Sequence, residues 1–310
     1  MKRSFPETAF CRLEKFVSPY FSNGVVPRLK ALRAVRKISS DLFHITGDVH
    51  FLALVLPRDR VLLTIHDCVM MRHPNRLIRS LLKLFWLDLP VRHCKNITTV
   101  SVATREDVIR LTGCKPSKIE VVPTVIDEAY GPAPRDFNAR QPRILHIGLA
   151  ANKNFERHVA ALRGLPCELH IIGRLNDEHR ALLGECAINF RNSVNLSQEE
   201  MASAYVESDL LLFASTFEGF GMPILEAQTV GRPVVTSRIS SMPEVAGEGA
   251  CLVDPFSIDD VRSGIETILT DVTYRNQLIE AGFANARRFK ADNVALEYAR
   301  IYERMYKDAF

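Results

Sequence analysis

The sequence predicts an α/β protein with two lobes, each built around a parallel β-sheet. The chain has 310 residues, which is enough for two lobes of about 150 residues each. Residues 141–251 alternate between short apolar runs and stretches with helical spacing, a pattern typical of βαβ units. Residues 41–122 show the same alternation less clearly. Each half is therefore expected to form a parallel sheet covered by helices.

The predicted strands are short apolar runs, and two of those in the second half end at a glycine. The strands are predicted at 41–44, 61–65, 97–100, 119–122, 143–148, 168–173, 209–214 and 233–236, with second-half helices at 154–165, 198–208 and 223–230. Residues 130–142 hold three prolines and few apolar residues, which is typical of a linker. In parallel sheets ligands bind beyond the carboxyl ends of the strands, where Gly148, Gly173 and Ser215 would lie.

Composition excludes several other classes of protein. Hydrophobic residues make up 47% of the chain and charged residues 25%, and no apolar run approaches the roughly 20 residues of a membrane-spanning helix. The N-terminal segment shows no apolar signal-peptide core, so a cytoplasmic location is expected. The seven cysteines are scattered and never spaced as CxxC, which argues against a disulfide framework or a zinc site.

The net charge of +4 conceals an asymmetry between the two halves. Residues 1–140 carry 23 Lys and Arg against 13 Asp and Glu, whereas residues 141–310 carry 17 against 23. A basic first half can attract phosphate, nucleic acid or an anionic membrane surface, or it can be an ordinary solvated surface. No motif that reads nucleic acid accompanies the charge, so no nucleic-acid partner is expected.

The most informative stretch is the predicted strand, loop and helix at residues 209–230. A buried strand ends at Ala214, a loop with two glycines follows, and Pro223 stands at the first position of a helix, where its missing N–H costs nothing. Free backbone N–H groups at such a helix start bind phosphate. Glu218 and Glu226 flank the turn, and carboxylates accept hydrogen bonds from sugar hydroxyls. The stretch predicts a nucleotide-sugar site, unless Glu226 only complements the helix dipole and the glycines only form a turn.

This stretch resembles the Glu-x7-Glu motif of retaining glycosyltransferases with the GT-B fold, notably the large family four. Similar segments also flank the motif, at 205–215 before it and at 226–237, 242–247 and 254–255 after it. The first half resembles a subset of the family more loosely, at 44–50 and 64–67. The resemblance implies two Rossmann-like lobes facing across a cleft. It also implies sugar transfer with retention of configuration, without a bound metal ion or cofactor.

The resemblance implies roles for individual residues. Glu218 would contact the donor sugar, Lys153 would neutralise the diphosphate, and His66 would approach the sugar from the other lobe, so these three are the candidate catalytic residues. The candidate donor-binding residues are Gly148, Asn152, Lys153, Arg174, Gly219, Phe220, Gly221, Met222 and Glu226. The candidate acceptor-side residues are Asp48, His50 and Asp67. As single residues, Lys153 could be a solvated lysine and His66 a structural histidine, with Asp67 as its partner or a helix cap.

The sequence departs from the family pattern in two places. Asn152 stands where family members often carry an Arg before the lysine, and Arg174 could supply the missing charge. The first half shows no clear opening strand with a glycine-rich loop, so the first β–α unit is expected to be missing or degraded. The predicted parts are a shortened first lobe at 1–138, a nucleotide-sugar-binding lobe at 139–290, and a C-terminal helix at 291–310 that packs back toward the first lobe.

Residues 75–87 mix apolar and basic side chains at helical spacing. They could rest on an anionic membrane at its inner face, which suits a lipid-linked acceptor, or form an ordinary helix packed on its sheet. The expected partners are a UDP- or GDP-sugar donor and a glycan or lipid-linked acceptor, in surface polysaccharide or lipopolysaccharide synthesis. Two alternatives stay open: a GT-B-fold sugar-nucleotide epimerase, and a non-catalytic protein that binds a nucleotide-sugar or another transferase.

Overall fold

The computed structural model describes residues 12–20 and 24–310. The chain divides into two compact units, Met1–Thr124 with Ala291–Phe310, and Val125–Lys290. Residues 125–138, which the sequence analysis assigned to the first lobe, thus group with the second unit, and the last helix groups with the first. The expected loss of the first β–α unit concerns a region that includes residues 1–11 and 21–23, which lie outside the described residues.

In the first unit the strands form a parallel sheet in the order β1-β2-β3-β4. These strands are β1 (Phe43–Ile45), β2 (Val61–Ile65), β3 (Asn96–Thr99) and β4 (Ile119–Val121). The helices are α1 (Val25–Val35), α2 (Arg76–Leu82), α3 (Leu89–His93) and α4 (Val102–Thr112), with a π-helical turn at Lys83–Asp88 and 3₁₀ turns at His50–Val55, Val69–Arg72 and Pro116–Lys118. Each observed strand lies within two residues of its predicted range.

In the second unit the strands form a parallel sheet in the order β10-β9-β8-β5-β6-β7. These strands are β5 (Arg143–Ile147), β6 (Glu168–Ile172), β7 (Asn189–Ser193), β8 (Leu210–Phe213), β9 (Val234–Ser237) and β10 (Cys251–Val253). The helices are α5 (Phe155–Leu162), α6 (Asp177–Glu185), α7 (Gln198–Glu207), α8 (Met222–Val230), α9 (Met242–Ala246), α10 (Ile258–Thr270) and α11 (Val272–Ala286), with 3₁₀ turns at Ala151–Lys153 and Arg287–Phe289. Parallel sheets in both units confirm the predicted α/β fold class.

The order of the second sheet reverses at β5, which pairs with β6 on one side and with β8 on the other. Such a switch point leaves a crevice at the carboxyl ends of the two central strands. Strand β8 is apolar without alternation because helices cover both faces of the sheet, and all of it is at most 1% exposed. Among the helices that the structure describes, none is both long and apolar enough to cross a membrane.

One buried cation ties several elements of the second unit together. Arg232, which is 3% exposed, donates from Nε to the Tyr205 carbonyl at 3.2 Å. Its Nη2 donates to the carbonyls of Val206 at 2.9 Å and Ala133 at 2.8 Å. Burial lowers the pKa of Arg232 to about 10. The carbonyls at the end of α7 compensate the buried charge, because the C-terminal end of a helix carries partial negative charge.

The C-terminal helix α12 (Ala291–Ala309) packs on the first sheet through a polar network. Nδ1 of His44 lies 2.6 Å from the Tyr302 hydroxyl, and its Nε2 lies 2.6 Å from Thr64 Oγ1. Thr64 Oγ1 in turn lies 2.7 Å from Thr98 Oγ1. Burial lowers the pKa of His44 to about 4, so the ring stays neutral near pH 7. Directional bonds therefore hold α12 against β1, β2 and β3.

Replacing Arg232 by methionine should destabilise the second unit by about 3 kcal/mol, because buried carbonyls lose their donor. Native-state hydrogen exchange of peptides from α7 and α8, followed by mass spectrometry, measures this change. Arg180→Met is the matched control, since Arg180 lies exposed on α6 of the same unit. Equal protection in the two variants would contradict the role given to Arg232.

Acid should destabilise the first unit partly through His44. Its pKa is about 4 in the folded chain and near 6.5 when unfolded, so the unfolded chain binds more protons between these values. The contribution of His44 is complete above pH 6.5 and is lost as the pH falls toward 4. His44→Gln should flatten this decrease by up to about 1.4 kcal/mol per pH unit. Urea unfolding followed by fluorescence of Trp86, the single tryptophan, tests it, and parallel pH profiles would contradict it.

Candidate functional site

The predicted donor-binding residues follow strands of the second sheet or begin a helix. Gly148 follows β5, Arg174 follows β6, and the loop at residues 215–221 joins β8 to α8. Because the strands are parallel, these segments all leave the sheet at its carboxyl edge. Contacts between the segments after β5 and β8 form the candidate site.

Lys153 and Glu218 form an ion pair at this edge. Gly148 has a φ of +85°, and a Cβ placed on it would lie 3.1 Å from Lys153 Cε, so the glycine leaves room for the lysine side chain. Lys153 Nζ lies 2.7 Å from Glu218 Oε1 and 4.6 Å from the centroid of the Phe213 ring. The two charged side chains are 20% and 13% exposed. The structure thus brings two of the three candidate catalytic residues together and shows that Lys153 is not a freely solvated lysine.

Asn152 fixes the loop that carries Glu218. Its Nδ2 donates to the Phe217 carbonyl at 2.9 Å and lies 3.3 Å from Glu218 Oε1. Its backbone carbonyl accepts from the Thr216 N–H at 2.8 Å. A neutral residue therefore replaces the expected cation and orients the loop instead. Arg174 is exposed beyond β6, and its role in neutralising a diphosphate stays a prediction.

Two serines after β9 hold the same loop, and the sequence analysis did not identify them. Ser240 Oγ donates to the Glu218 carbonyl at 2.7 Å, and Ser241 Oγ donates to the Phe220 carbonyl at 2.7 Å. Ser240 has a φ of +60°, a conformation uncommon outside glycine that tends to occur at functional sites. The Phe220 ring is 7% exposed, so packing rather than ligand contact accounts for its side chain. The signal for both serines was their position just after a strand of the sheet.

The start of α8 lies next to this loop. Gly221, at the N-cap, has a φ of +112°, and a Cβ there would lie 3.2 Å from Ile224 Cδ1. Gly219 precedes it and Met222 begins the helix. The first N–H groups of a helix have no partner within the helix and carry partial positive charge. This helix start can therefore accept an anionic group near the Lys153 charge.

Glu226 lies further along α8 and is held by two tyrosines. Tyr205 OH donates to Glu226 Oε2 at 2.5 Å. Burial raises the pKa of Glu226, and the hydroxyls of Tyr205 and Tyr130 act in the opposite direction. The first turn of α8 contains no acidic residue, so complementing the helix dipole does not explain Glu226. Sequence reasoning missed Tyr130 and Tyr205, because neither lies in the motif.

Two buried histidines lie under Gly148. Nε2 of His146 lies 2.8 Å from the Gly148 carbonyl, and its Nδ1 lies 3.0 Å from Nδ1 of His158. Burial lowers the pKa of His146 to about 4 and the pKa of His158 well below its usual value. The floor of the site is therefore neutral near pH 7, and Lys153 remains the cation in contact with Glu218.

The candidate residues after β2 belong to the first unit. His66 is exposed, and its Nε2 donates to the Thr46 carbonyl at 2.7 Å. Asp67 Oδ1 accepts from the Val69 N–H at 2.8 Å, just before the 3₁₀ turn at Val69–Arg72. The N-cap of this turn is Cys68, and no side chain caps it, so the structure does not make Asp67 a helix cap. The catalytic role of His66 stays a prediction.

The other acceptor-side candidates contact Trp86. His50 is 4% exposed and its Nδ1 donates to the Trp86 carbonyl at 2.7 Å. Burial lowers the pKa of His50. The Asp48 side chain is exposed, while its carbonyl accepts from Trp86 Nε1 at 3.3 Å. These contacts explain His50 as a packed residue, and the acceptor-side role of both residues stays a prediction.

Comparison with known proteins gives a family and a fold. The family model described as glycosyl transferases group 1 matches residues 132–284, and the model of glycosyltransferase family 4 matches residues 6–130. The chain is 28% identical over 272 residues to O-antigen chain mannosyltransferase B of Escherichia coli, covering 79% of this chain and 70% of that protein. It is 29% identical over 227 residues to the MMP alpha-(1->4)-mannosyltransferase of Mycolicibacterium hassiacum, covering 69% of this chain but only 55% of that protein.

A similar solved structure is Alr3699/HepE of Anabaena in complex with UDP and glucose. Its TM-score is 0.75 at 17% identity, and the match covers 90% of this chain and 81% of that one. The two family models between them cover most of the sequence, and the solved structure shares the arrangement of parallel sheets. The chain therefore belongs to family four of the glycosyltransferases, the glycosyl transferases group 1, and has the GT-B fold.

Proposed function

We propose that this chain transfers a hexosyl group from a nucleotide-sugar to a hydroxyl of a surface glycan or its lipid-linked precursor. The observation that carries the proposal is the ion pair between Lys153 and Glu218, which lies on the loop that leads into α8, with Glu226 on that helix. A cation suits the diphosphate, and the two carboxylates suit the hydroxyls of the sugar and of the ribose. The mannosyltransferase relatives and the UDP complex of the similar structure support this assignment.

In the proposed reaction the bond between the anomeric carbon and the diphosphate oxygen breaks. A bond forms between the anomeric carbon and the acceptor oxygen, whose proton passes to the departing diphosphate. Lys153 and the helix start stabilise the negative charge that grows on the leaving group. Glu218 accepts hydrogen bonds from the sugar hydroxyls. Retention of configuration, with attack on the face from which the diphosphate departs, is inferred from the family.

In this proposal the positive charge that stabilises the departing diphosphate comes from Lys153 rather than from a metal ion. Within the described residues no group of three or more His, Cys, Asp and Glu side chains is arranged to hold a metal. Lys153 Nζ is bound to Glu218, and a diphosphate would compete for this cation. We infer that the transfer needs neither a metal ion nor a cofactor.

Calorimetry with GDP-mannose, UDP-glucose and UDP-N-acetylglucosamine should show micromolar binding of one donor. Lys153→Met should weaken that binding by about 1–3 kcal/mol, because a diphosphate loses a charged partner. It should also lower the rate of sugar transfer by about 100-fold or more, because the lost charge acts mainly on the leaving group. Lys290→Met is the control, since Lys290 is exposed in the same unit, and EDTA should change neither value.

The same measurements separate the competing functions. Binding without transfer to any glycan or lipid-linked acceptor would favour a non-catalytic nucleotide-sugar-binding protein. Release of an altered nucleotide-sugar without an acceptor would favour an epimerase. No binding of any donor by the folded chain would overturn the assignment of the site itself.

We further propose that the first unit contacts an anionic membrane surface, at the inner face, where a lipid-linked acceptor would be found. The proposal rests on α2 and the π-helical turn after it. The apolar side chains of this segment are exposed: Leu77 is 78%, Leu81 58% and Phe85 45% exposed. Basic residues accompany them, and Arg76 is itself exposed. An exposed apolar stripe beside cations is suited to the boundary between headgroups and acyl chains.

Vesicle co-sedimentation tests this surface. The chain should bind vesicles of phosphatidylglycerol and phosphatidylcholine, but only weakly those of phosphatidylcholine alone, because the cations require anionic headgroups. Replacing Leu77 and Leu81 by glutamate should reduce binding about tenfold or more, through lost apolar contact and added repulsion. Leu252→Glu is the control, since Leu252 is 41% exposed in the second unit. Equal binding of both variants would reject this surface.

A further inference from the structure

The Glu226 carboxylate is held by two tyrosines that the proposed reaction does not use. Tyr205 OH donates to Glu226 Oε2 at 2.5 Å. The Tyr130 hydroxyl also favours the charged form of this carboxyl and so acts to lower its pKa. A carboxylate can accept about four hydrogen bonds, so at least two acceptor positions remain. Two neighbouring ribose hydroxyls need that number.

Tyr205 holds its hydroxyl in a fixed place. Its side chain is 0% exposed, and its carbonyl accepts from Arg232 Nε at 3.2 Å. Its ring meets the Tyr130 ring edge-on, with centroids 5.6 Å apart and an interplanar angle of 88°. The carbonyl and the hydroxyl of Tyr205 are thus both hydrogen-bonded, and its ring packs against Tyr130. A hydroxyl fixed in this way can set the orientation of the carboxylate that it contacts.

The charges around Glu226 explain why two hydroxyls are needed. Burial raises the pKa of Glu226, and Asp127 on the segment at residues 125–138 raises it further. Tyr205 on α7 and Tyr130 on that segment act in the opposite direction. No cation is among the groups that shift the pKa of this carboxyl in the described chain. The tyrosine hydroxyls therefore favour the charged form of Glu226, while burial, the largest effect, keeps its pKa above the usual value.

We propose that Tyr205 and Tyr130 are positioning residues that keep the Glu226 carboxylate ionised and oriented for the ribose of the donor. This rests on the proposed function, because it assigns a nucleoside to Glu226. A purely structural role would need only the two rings, and phenylalanine would then serve as well. The hydroxyls are needed only if the charge and orientation of the carboxylate matter for binding.

Carbon-13 NMR titration of the glutamate side-chain carboxyls in the donor-free chain is the first measurement, with Glu226→Gln identifying the signal. Tyr205→Phe should raise the pKa of Glu226 by about one unit, and Tyr130→Phe should raise it as well, since each removes a hydroxyl that favours the charged form. Calorimetry with the best-bound nucleotide-sugar from pH 4.5 to 8.5 is the second. The affinity should fall as the pH is lowered through the pKa of Glu226. In each tyrosine variant the midpoint of this fall should move to higher pH by the same amount as the pKa. In Glu226→Gln the fall should be absent.

Tyr274→Phe is the matched control, because Tyr274 lies in the same unit and its hydroxyl interacts with Cys251 instead. An unchanged Glu226 titration in Tyr205→Phe and Tyr130→Phe would overturn the proposal while leaving the proposed function intact. A raised pKa with an unshifted affinity profile would overturn the role in donor binding. A wild-type chain that binds no nucleotide-sugar overturns the proposed function, and the positioning role falls with it. If Tyr205→Phe fails to fold, Tyr130→Phe, on a half-buried residue, decides the matter.

Discussion

The strands of the second sheet run parallel, and this constraint places the candidate site. Their carboxyl ends meet at one edge, so segments distant in sequence leave the sheet side by side. Lys153, Glu218 and Ser240 follow three different strands and yet share one connected set of hydrogen bonds. The pairing of β5 with β8 joins the first two of these segments. This pairing brings Lys153, after β5, close to Glu218, after β8.

Two charges of the second unit, on Arg232 and on Glu226, are compensated mainly by neutral groups. Backbone carbonyls accept from the Arg232 guanidinium, and the Tyr205 hydroxyl donates to the Glu226 carboxylate. Tyr205 takes part in both, since its carbonyl accepts from the cation and its hydroxyl donates to the anion. Helix α7 holds no residue predicted for the site, but it connects the stability of the unit to the carboxylate on α8. The Arg232 guanidinium and the Glu226 carboxylate are thus linked through one residue.

Pattern and periodicity predicted much of the fold, and their failures have physical reasons. The strands from β1 to β6, together with β8 and β9, were predicted, because continuous apolar runs are typical of strands buried on both faces. Strands β7 and β10 lie at the two edges of the second sheet; β7 carries no such run, and the apolar β10 is only three residues long. The linker boundary was also displaced, because residues 125–138 bond to the second unit through contacts such as Ala133 N–H to the Val230 carbonyl.

The sequence by itself determined the α/β class, the family and the motif that carries Glu218 and Glu226. These properties depend on residues close together in the chain, where spacing alone shows which side chains follow a strand or begin a helix. Only the tertiary structure decided that Lys153 pairs with Glu218 and that Tyr205 and Tyr130 hold Glu226. These contacts join segments as much as 96 residues apart between Tyr130 and Glu226. Sheet order and burial, rather than local spacing, bring such residues together, because each depends on how the whole unit packs.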